Sequence, residues 1–283
     1  MESSSWERLR AALLPHRETG VVVAFSGGLD SSVLLDAAVE ALGARRVAAF
    51  TAVSPSLSAR DLADARRIAS EIGTAHHEEE TSELSDPGYV ANAGDRCFFC
   101  KRELFSVIGD VKERLGLTMN RGSSSAAPAP PAVAYGYHRD DDADFRPGLK
   151  AALAAGAIRP LYEAGLGKRE LREIARARGR SFAEKPSGAC LSSRIPAGTP
   201  VNARRLAAVE AVEEWLRDRG YRQLRARLER DDRMRLETDP SDVVRLAREI
   251  AAAPEELLAV ARAHGVLELA VDPRGYGRPG ETR

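Results

Sequence analysis

The 283-residue chain is 43% hydrophobic and 30% charged, a balance that supports a sizeable core and excludes wholesale disorder. Its 42 lysines and arginines are matched by 42 acidic residues, and residues 201–283 hold 16 arginines against 16 acids, so the basic excess of a nucleic-acid partner is missing. No apolar run reaches the ~20 residues of a membrane span, and three cysteines are too few, and odd in number, for a disulfide scaffold. With a polar stretch at residues 1–10, the expectation is a cytoplasmic protein in a reducing compartment, with neither a membrane nor a nucleic acid as partner.

Residues 2–17 space Trp6, Leu9 and Leu13 as an amphipathic helix. The continuous apolar run 20–25 is expected of a parallel strand covered on both faces, and an apolar helix follows through Val33 and Ala38. A strand at 46–53, a helix at 58–72 with Ser58 as N-cap, and a strand at 74–79 continue the alternation. Residues 84–98 read as a loop, 99–115 as a helix, 122–131 as a low-complexity surface loop and 132–136 as another strand. A helix at 169–178 and a long loop at 181–200 complete this part. Strands separated by helices predict a doubly wound parallel α/β sheet over 1–200. Beyond Pro200 a helix (202–219), two alternating strands (223–229 and 233–238), helices at 241–250 and 254–264 and a strand at 266–271 predict a small α+β domain over 201–283.

The first motif that carries chemistry is Ser26-Gly27-Gly28-Leu29-Asp30-Ser31-Ser32, placed between a buried strand and a helix. The glycines permit a tight turn and close approach of a ligand, while Ser31, Ser32 and the helix N–H groups offer an anion cradle. Asp30 is too close to that cradle to favour phosphate by charge alone and makes better sense holding Mg²⁺. The string resembles the SGGxDSS loop of the PP-loop ATP pyrophosphatases, which cleave ATP to AMP and pyrophosphate. It lacks the Gly-Lys-Ser/Thr ending of a Walker loop.

Cys97-Phe-Phe-Cys100 is a CxxC, and Cys190 lies far downstream in a polar loop. The pair is compatible with a redox couple, half a zinc site or part of a cluster site. No histidine stands at ligand spacing from these thiols, and three thiolates suit a [4Fe–4S] cluster with one open iron.

Taken in order, the PP-loop, Asp95-Arg-Cys-Phe-Phe-Cys-Lys101, Asp144-Phe-Arg-Pro-Gly148 and Lys185-Pro-Ser-Gly-Ala-Cys-Leu-Ser-Ser-Arg-Ile-Pro-Ala-Gly198 resemble the LarE family. These are ATP-dependent sulfur transferases that help build the nickel-pincer cofactor of lactate racemase. The resemblance implies an adenine-nucleotide α-hydrolase-like fold and a pyridinium-3,5-biscarboxylate mononucleotide substrate. A carboxylate of that substrate is adenylated and then converted to a thiocarboxylate. Some members take the sulfur from one cysteine at the position of Cys190, leaving dehydroalanine; others hold a [4Fe–4S] cluster on three cysteines, here Cys97, Cys100 and Cys190. ATP and Mg²⁺ are then the expected cofactors, with the cluster as a third, and a homo-oligomer is expected.

The resemblance places Ser26, Gly27, Gly28, Asp30, Ser31 and Ser32 at ATP, and Arg225 and Arg227, which share one face of a strand, at a substrate phosphate. Ser193 and Arg194 belong to the cysteine loop, where Lys101, Lys185 and Arg194 would stabilise the thiolates and hold anions. Glu213 or its neighbour Glu214 corresponds to an acidic residue implicated in metal binding. One departure is Gly136-Tyr-His-Arg-Asp-Asp141, where the family reads Gly-Thr-Asn-x-Asp-Asp; Tyr137 and His138 replace the small and amide residues that would line the nucleotide site, so either that site is reshaped or the substrate differs. The alternatives are a PP-loop tRNA thiolation enzyme, an amide-forming synthetase of the NAD or GMP type, and a nucleotide-binding regulator without catalysis.

Overall fold

Four consecutive buried residues, Val21–Ala24, form β1, and the fold is laid out around them. The computed structural model describes residues 4–119, 129–143, 147–186, 188–229 and 232–277. In chain order the elements are α1 (Ser4–Leu13), β1, α2 (Leu29–Leu42), β2 (Val47–Val53), α3 (Ala59–Ile72), β3 (Ala75–Glu80), α4 (Pro87–Ala91), α5 (Arg96–Met119) and β4 (Ala132–Tyr135). They continue as α6 (Pro147–Ala154), α7 (Pro160–Glu163), α8 (Lys168–Ala177), α9 (Ala203–Asp218), β5 (Leu224–Leu228), β6 (Arg233–Thr238), α10 (Val243–Ala252), α11 (Pro254–Arg262) and β7 (Glu268–Val271).

The chain divides into two compact units, Met1–Glu83 with Cys97–Gly188, and Leu84–Arg96 with Ala189–Arg283. In the first, β3-β2-β1-β4 is a parallel sheet in that order. Because side chains alternate across a strand, Val21 and Val23 join Leu34, Leu35 and Ile68 on one face. Val22, Ala24 and Phe50 join Phe105 and Ile108 on the other. Each fully buried side chain of this size contributes about 1.5–3 kcal/mol, and burial on both faces explains why β1 lacks polar alternation. The chain leaves β1 for β2 and β3 on one side, then returns to β4 on the other. This reversal opens a crevice at the carboxyl ends of β1 and β4, the place where open parallel sheets bind ligands.

A buried charge network locks the helices to this sheet. Asp36 of α2, 3% exposed, accepts from Arg178 Nε at 2.8 Å and Arg180 Nε at 2.9 Å. Arg178 also pairs with Glu40 at 2.7 Å and lies 3.9 Å over the Trp6 ring, while Trp6 Nε1 donates to Glu40 at 2.9 Å. α1, α2 and the end of α8 are thereby tied at one point.

The second unit carries the sheet β5-β6-β7, antiparallel between β5 and β6 and parallel between β6 and β7. The elements expected beyond residue 200 are all present, but the unit begins at Ala189 and recruits 84–96, so its boundary differs from a cut at 200. The expected loop at 84–98 contains α4, started by the Asp86 carboxylate accepting from Gly88 N at 2.8 Å and ended by Asn92 at φ 51°. The buried Asn92 amide then donates to Pro196 O at 2.8 Å and Thr199 O at 2.9 Å, and Val201 N donates to Val90 O at 2.9 Å. These bonds bring 84–96 into the second unit. The Ser58 cap on α3 is present, accepting from Asp61 N at 3.1 Å. Sequence reading passed over α6 and α7, which start at Pro147 and Pro160, each at the first helical position. The low-complexity stretch 122–131 lies largely outside the described residues.

Asp36→Ala leaves two guanidinium groups without their buried counter-charge and should destabilise the first unit by about 3–5 kcal/mol. Urea unfolding followed by Trp6 fluorescence in a Trp215→Phe background measures it. A loss below ~1 kcal/mol would show that the network contributes little.

Candidate active site

The Ser26–Ser32 segment turns from β1 into α2 at the crevice of the first unit. Gly27 has φ +65°, and a Cβ there would stand 2.9 Å from Ala65 Cα, so α3 closes on the turn to a distance only glycine allows. Gly28 occupies the N-cap of α2 with no side-chain cap, which leaves first-turn N–H groups to face the crevice. Ser31 Oγ donates to Gly28 O at 3.2 Å and meets Ser26 Oγ at 3.2 Å, so this hydroxyl shapes the loop from within. Ser32 departs from the expectation of a cradle hydroxyl. It is fully buried, and its Oγ meets no hydrogen-bond partner among the described residues. What the turn can offer an anion is therefore backbone N–H groups and the helix dipole.

Asp30 faces the crevice with both oxygens on Lys168 Nζ, at 2.7 and 2.8 Å. Lys168 opens α8, and its own N–H is capped by Asp140 Oδ2 at 2.7 Å. Gly167 makes room for that cap, since a Cβ would lie 2.7 Å from the Asp140 carboxylate. Sequence reading missed Lys168; the available signal was that it is one of only five lysines among 42 basic residues, at a helix start.

Behind Asp30 stands the segment that departs from the family pattern. A Cβ on Gly136 would come within 3.3 Å of Ser31 N, so β4 ends against the start of α2. His138 Nε2 lies 3.8 Å from Asp30 and 3.6 Å from Asp141, while its Nδ1 is buried without a partner among the described residues. Tyr137 Oη donates to Asp142 at 2.7 Å, and burial together with that carboxylate pushes its phenol up to about 12. Tyr137 and His138 are thus packed as the wall behind the loop.

α5 begins at Arg96 rather than at Phe99, after Gly94 at φ 106°, so Cys97 and Cys100 sit one turn apart on the same helix face. Cys97 is exposed and Cys100 half-buried. Gly148 of α6 lets this turn approach closely, for a Cβ there would stand 2.8 Å from Lys101 Cγ and 3.1 Å from Cys97 O. The Lys101 ammonium lies 5.2 Å over the Tyr135 ring. Lys185, expected beside a thiol, instead lies 2.9 Å from Asp64 and 3.6 Å from Asp61 on α3. The residues 144–146 of the Asp144–Gly148 motif are outside the described set.

In the second unit the exposed Cys190 precedes a 3-10 turn, Leu191–Arg194, whose shape depends on a buried salt bridge. Arg194 is 4% exposed; its Nη1 donates to Ala189 O, to Cys190 O at 3.0 Å and to Ser193 Oγ at 3.0 Å. Its other face donates to Glu213 from Nε at 2.7 Å and Nη2 at 2.9 Å. Glu213 also accepts from Arg217 Nη2 at 2.7 Å and Ala226 N at 3.1 Å. Burial works against this carboxylate, yet the Arg194 and Arg217 charges prevail and hold it below the usual range.

The expected metal role of Glu213 is therefore replaced by a structural one, because two guanidinium groups and a backbone N–H saturate its oxygens. Glu214 likewise accepts from Arg217 at 2.9 Å. Arg194 and Ser193 are committed to the loop itself. Arg225 and Arg227 alternate on β5 as expected: Arg227 Nε donates to Glu237 at 2.8 Å, and Arg225 lies 5.1 Å over Tyr276. Burial and the neighbouring Arg194 charge push Arg225 below the ordinary guanidinium range.

Among the described residues, no three His, Cys, Asp or Glu side chains gather into a group that could hold a metal ion. Mg²⁺ asks less, since one or two carboxylates suffice when phosphate oxygens and waters supply the rest, and Asp30 beside an uncapped helix start fits that demand. No helix among the described residues is long and apolar enough to cross a membrane.

Comparison with known proteins agrees with the loop chemistry. The asparagine synthase family profile matches residues 11–87. A solved NMN synthetase from Francisella tularensis aligns over 66% of this chain and 76% of that chain, with TM-score 0.47 and 16% identity. An uncharacterized protein of Synechocystis sp. is 35% identical over 90% of this chain and 89% of its own length. The pyridinium-3,5-bisthiocarboxylic acid mononucleotide synthase of Lactiplantibacillus plantarum is 33% identical over 75% of this chain and 72% of its own length. With that identity over that length, the chain belongs to the LarE family of PP-loop proteins.

Proposed function

We propose that this protein is an ATP-dependent sulfurtransferase that converts a carboxylate of pyridinium-3,5-biscarboxylate mononucleotide to a thiocarboxylate, for nickel-pincer cofactor assembly. The observation that carries the reading is an exposed cysteine on a loop held by a buried salt bridge, in a chain whose other unit presents a PP-loop. A carboxylate is a poor electrophile, and a nucleotide-activating site paired with a presented thiol supplies what it lacks.

In the first step the substrate carboxylate oxygen bonds to the ATP α-phosphorus, the bridging bond to the β-phosphate breaks, and pyrophosphate leaves. The N–H groups at the start of α2 hold the phosphates, and Lys168, released from Asp30, follows the developing charge on pyrophosphate. Asp30 would hold Mg²⁺, which when bound neutralises the phosphate oxygens. In the second step Cys190, having lost its thiol proton to solvent, bonds through sulfur to the acyl carbon, and AMP departs with the electron pair of the broken C–O bond. Loss of the Cys190 Cα proton then drives cleavage of Cβ–S. The sulfur stays on the product and residue 190 becomes dehydroalanine. Arg225 and Arg227 are the proposed binders of the substrate phosphate.

Asp30→Ala should lower pyrophosphate release at least ~100-fold, and Lys168→Met about 10–100-fold, with the folded far-UV spectrum retained. Cys190→Ser should keep pyrophosphate release and form no thiocarboxylate. Intact-mass analysis after turnover should show a loss of about 34 Da, one H₂S, at residue 190. ADP as the product, or thiocarboxylate formed without that loss, would overturn the reading.

A separate expectation concerns the arginine pair. Arg225→Ala and Arg227→Ala should each weaken mononucleotide binding by about 1.5–3 kcal/mol while ATP affinity stays within about twofold. An equal fall in ATP affinity, measured by calorimetry, would place the pair elsewhere.

A further inference from the structure

The Cys190 sulfur does not stand alone on its loop. Ser192, two residues on and fully buried, brings its Oγ to 3.0 Å from Cys190 Sγ. On the other side of Ser192, the Tyr89 phenol, 1% exposed, donates its proton to the same Oγ at 3.2 Å. A serine hydroxyl has one proton to give, and the Tyr89 proton fills an acceptor lone pair of Ser192. The Ser192 proton can then go to the sulfur, and a Cys190 thiolate, having no proton of its own, can only accept it. We infer that Tyr89 and Ser192 form a hydrogen-bond relay that aims the Ser192 O–H at Cys190 Sγ and stabilises negative charge there for attack on the activated carboxylate.

Three features support the direction. The relay is dry up to its last member, since Tyr89 and Ser192 are both buried and Cys190 is the exposed residue of the three. An O–H donor to an anion in such surroundings is stronger than one competing with water. Tyr89 also comes from far away in the chain, 103 residues before Ser192. It is delivered by α4, which Asn92 holds through Pro196 O and Thr199 O, so its position is fixed by the same loop it serves. Finally, the backbone of Cys190 is held independently, its carbonyl accepting from Arg194 Nη1 at 3.0 Å and Ser193 N at 2.9 Å. With the carbonyl fixed, the Ser192 contact selects where the sulfur points.

The relay moves no proton and breaks no bond. Ser192 keeps its hydrogen while sulfur first attacks the acyl carbon and later leaves Cβ carrying the product. Ser192 touches the reacting sulfur, and Tyr89 acts through Ser192 as a positioning residue.

The inference rests on Cys190 being the sulfur donor, and the test separates the two. In Ser192→Ala, Ser192→Thr and Tyr89→Phe, three rates are measured at one fixed pH. They are pyrophosphate release, the 34 Da loss at residue 190, and alkylation of Cys190 by iodoacetamide without substrate, followed on its peptide. Ser192→Ala should slow both sulfur rates about tenfold and Tyr89→Phe about threefold, with pyrophosphate release unchanged; Ser192→Thr should return all three to within about twofold of the parent. Unchanged alkylation in Ser192→Ala, or pyrophosphate release falling in parallel with sulfur loss, overturns the relay. Tyr89→Phe removes one oxygen and keeps the ring, so it decides the matter if Ser192→Ala fails to fold. If the parent protein is alkylated at Cys190 but never loses 34 Da, the sulfur-donor reading fails while the alkylation rates still judge the relay.

Discussion

Glu213 is a carboxylate without access to water, and the cysteine loop owes its shape to it. An unpaired charge there would cost several kcal/mol, and pairing it with Arg194 and Arg217 makes the site tolerable rather than strongly stabilising. Its value lies in direction. The oxygens of Glu213 fix the fork of Arg194, whose opposite edge then falls on the carbonyls of Ala189 and Cys190. The bond from Ala226 N ties the same carboxylate to β5, so the strand bearing Arg225 and Arg227 and the loop bearing Cys190 share one anchor.

The first unit solves a different problem with backbone rather than charge. A buried parallel strand ends in residues small enough for α3 and the end of β4 to crowd the turn, as the spaces at Gly27 and Gly136 show. The crowding holds the start of α2 open toward the crevice without a side-chain cap. Tyr137 and His138 enlarge the wall behind this opening. Their rings are packed inward, so the departure from the family sequence falls on buried residues beside the loop.

What the sequence disclosed was what local rules govern. The apolar run of β1, the Ser58 cap, the period-two pattern of β5 and the Ser26–Ser32 string each depend on neighbours within a few residues. What it hid depends on pairings across long separations. Nothing near Asn92 announces that its amide will join the carbonyls of Pro196 and Thr199, so 84–98 read as a loop of the first unit. Resemblance singles out Glu213 as a metal ligand, and only the fold supplies Arg194 opposite it. The helical start of the CxxC segment was obscured because glycines at 88 and 94 suggested more irregular chain than there is.

The grip of Arg194 on the cysteine loop is a grip on carbonyl oxygens, and sulfur loss would leave those atoms untouched. A protein that has surrendered the Cys190 sulfur would therefore remain folded, with the same salt bridge, the same strand anchor and the same nucleotide crevice. Spent and fresh molecules would be indistinguishable to machinery that recognises exposed hydrophobic surface. Spent copies would persist and compete for ATP and substrate, so the output of the pathway would follow the age distribution of the protein population rather than its total amount.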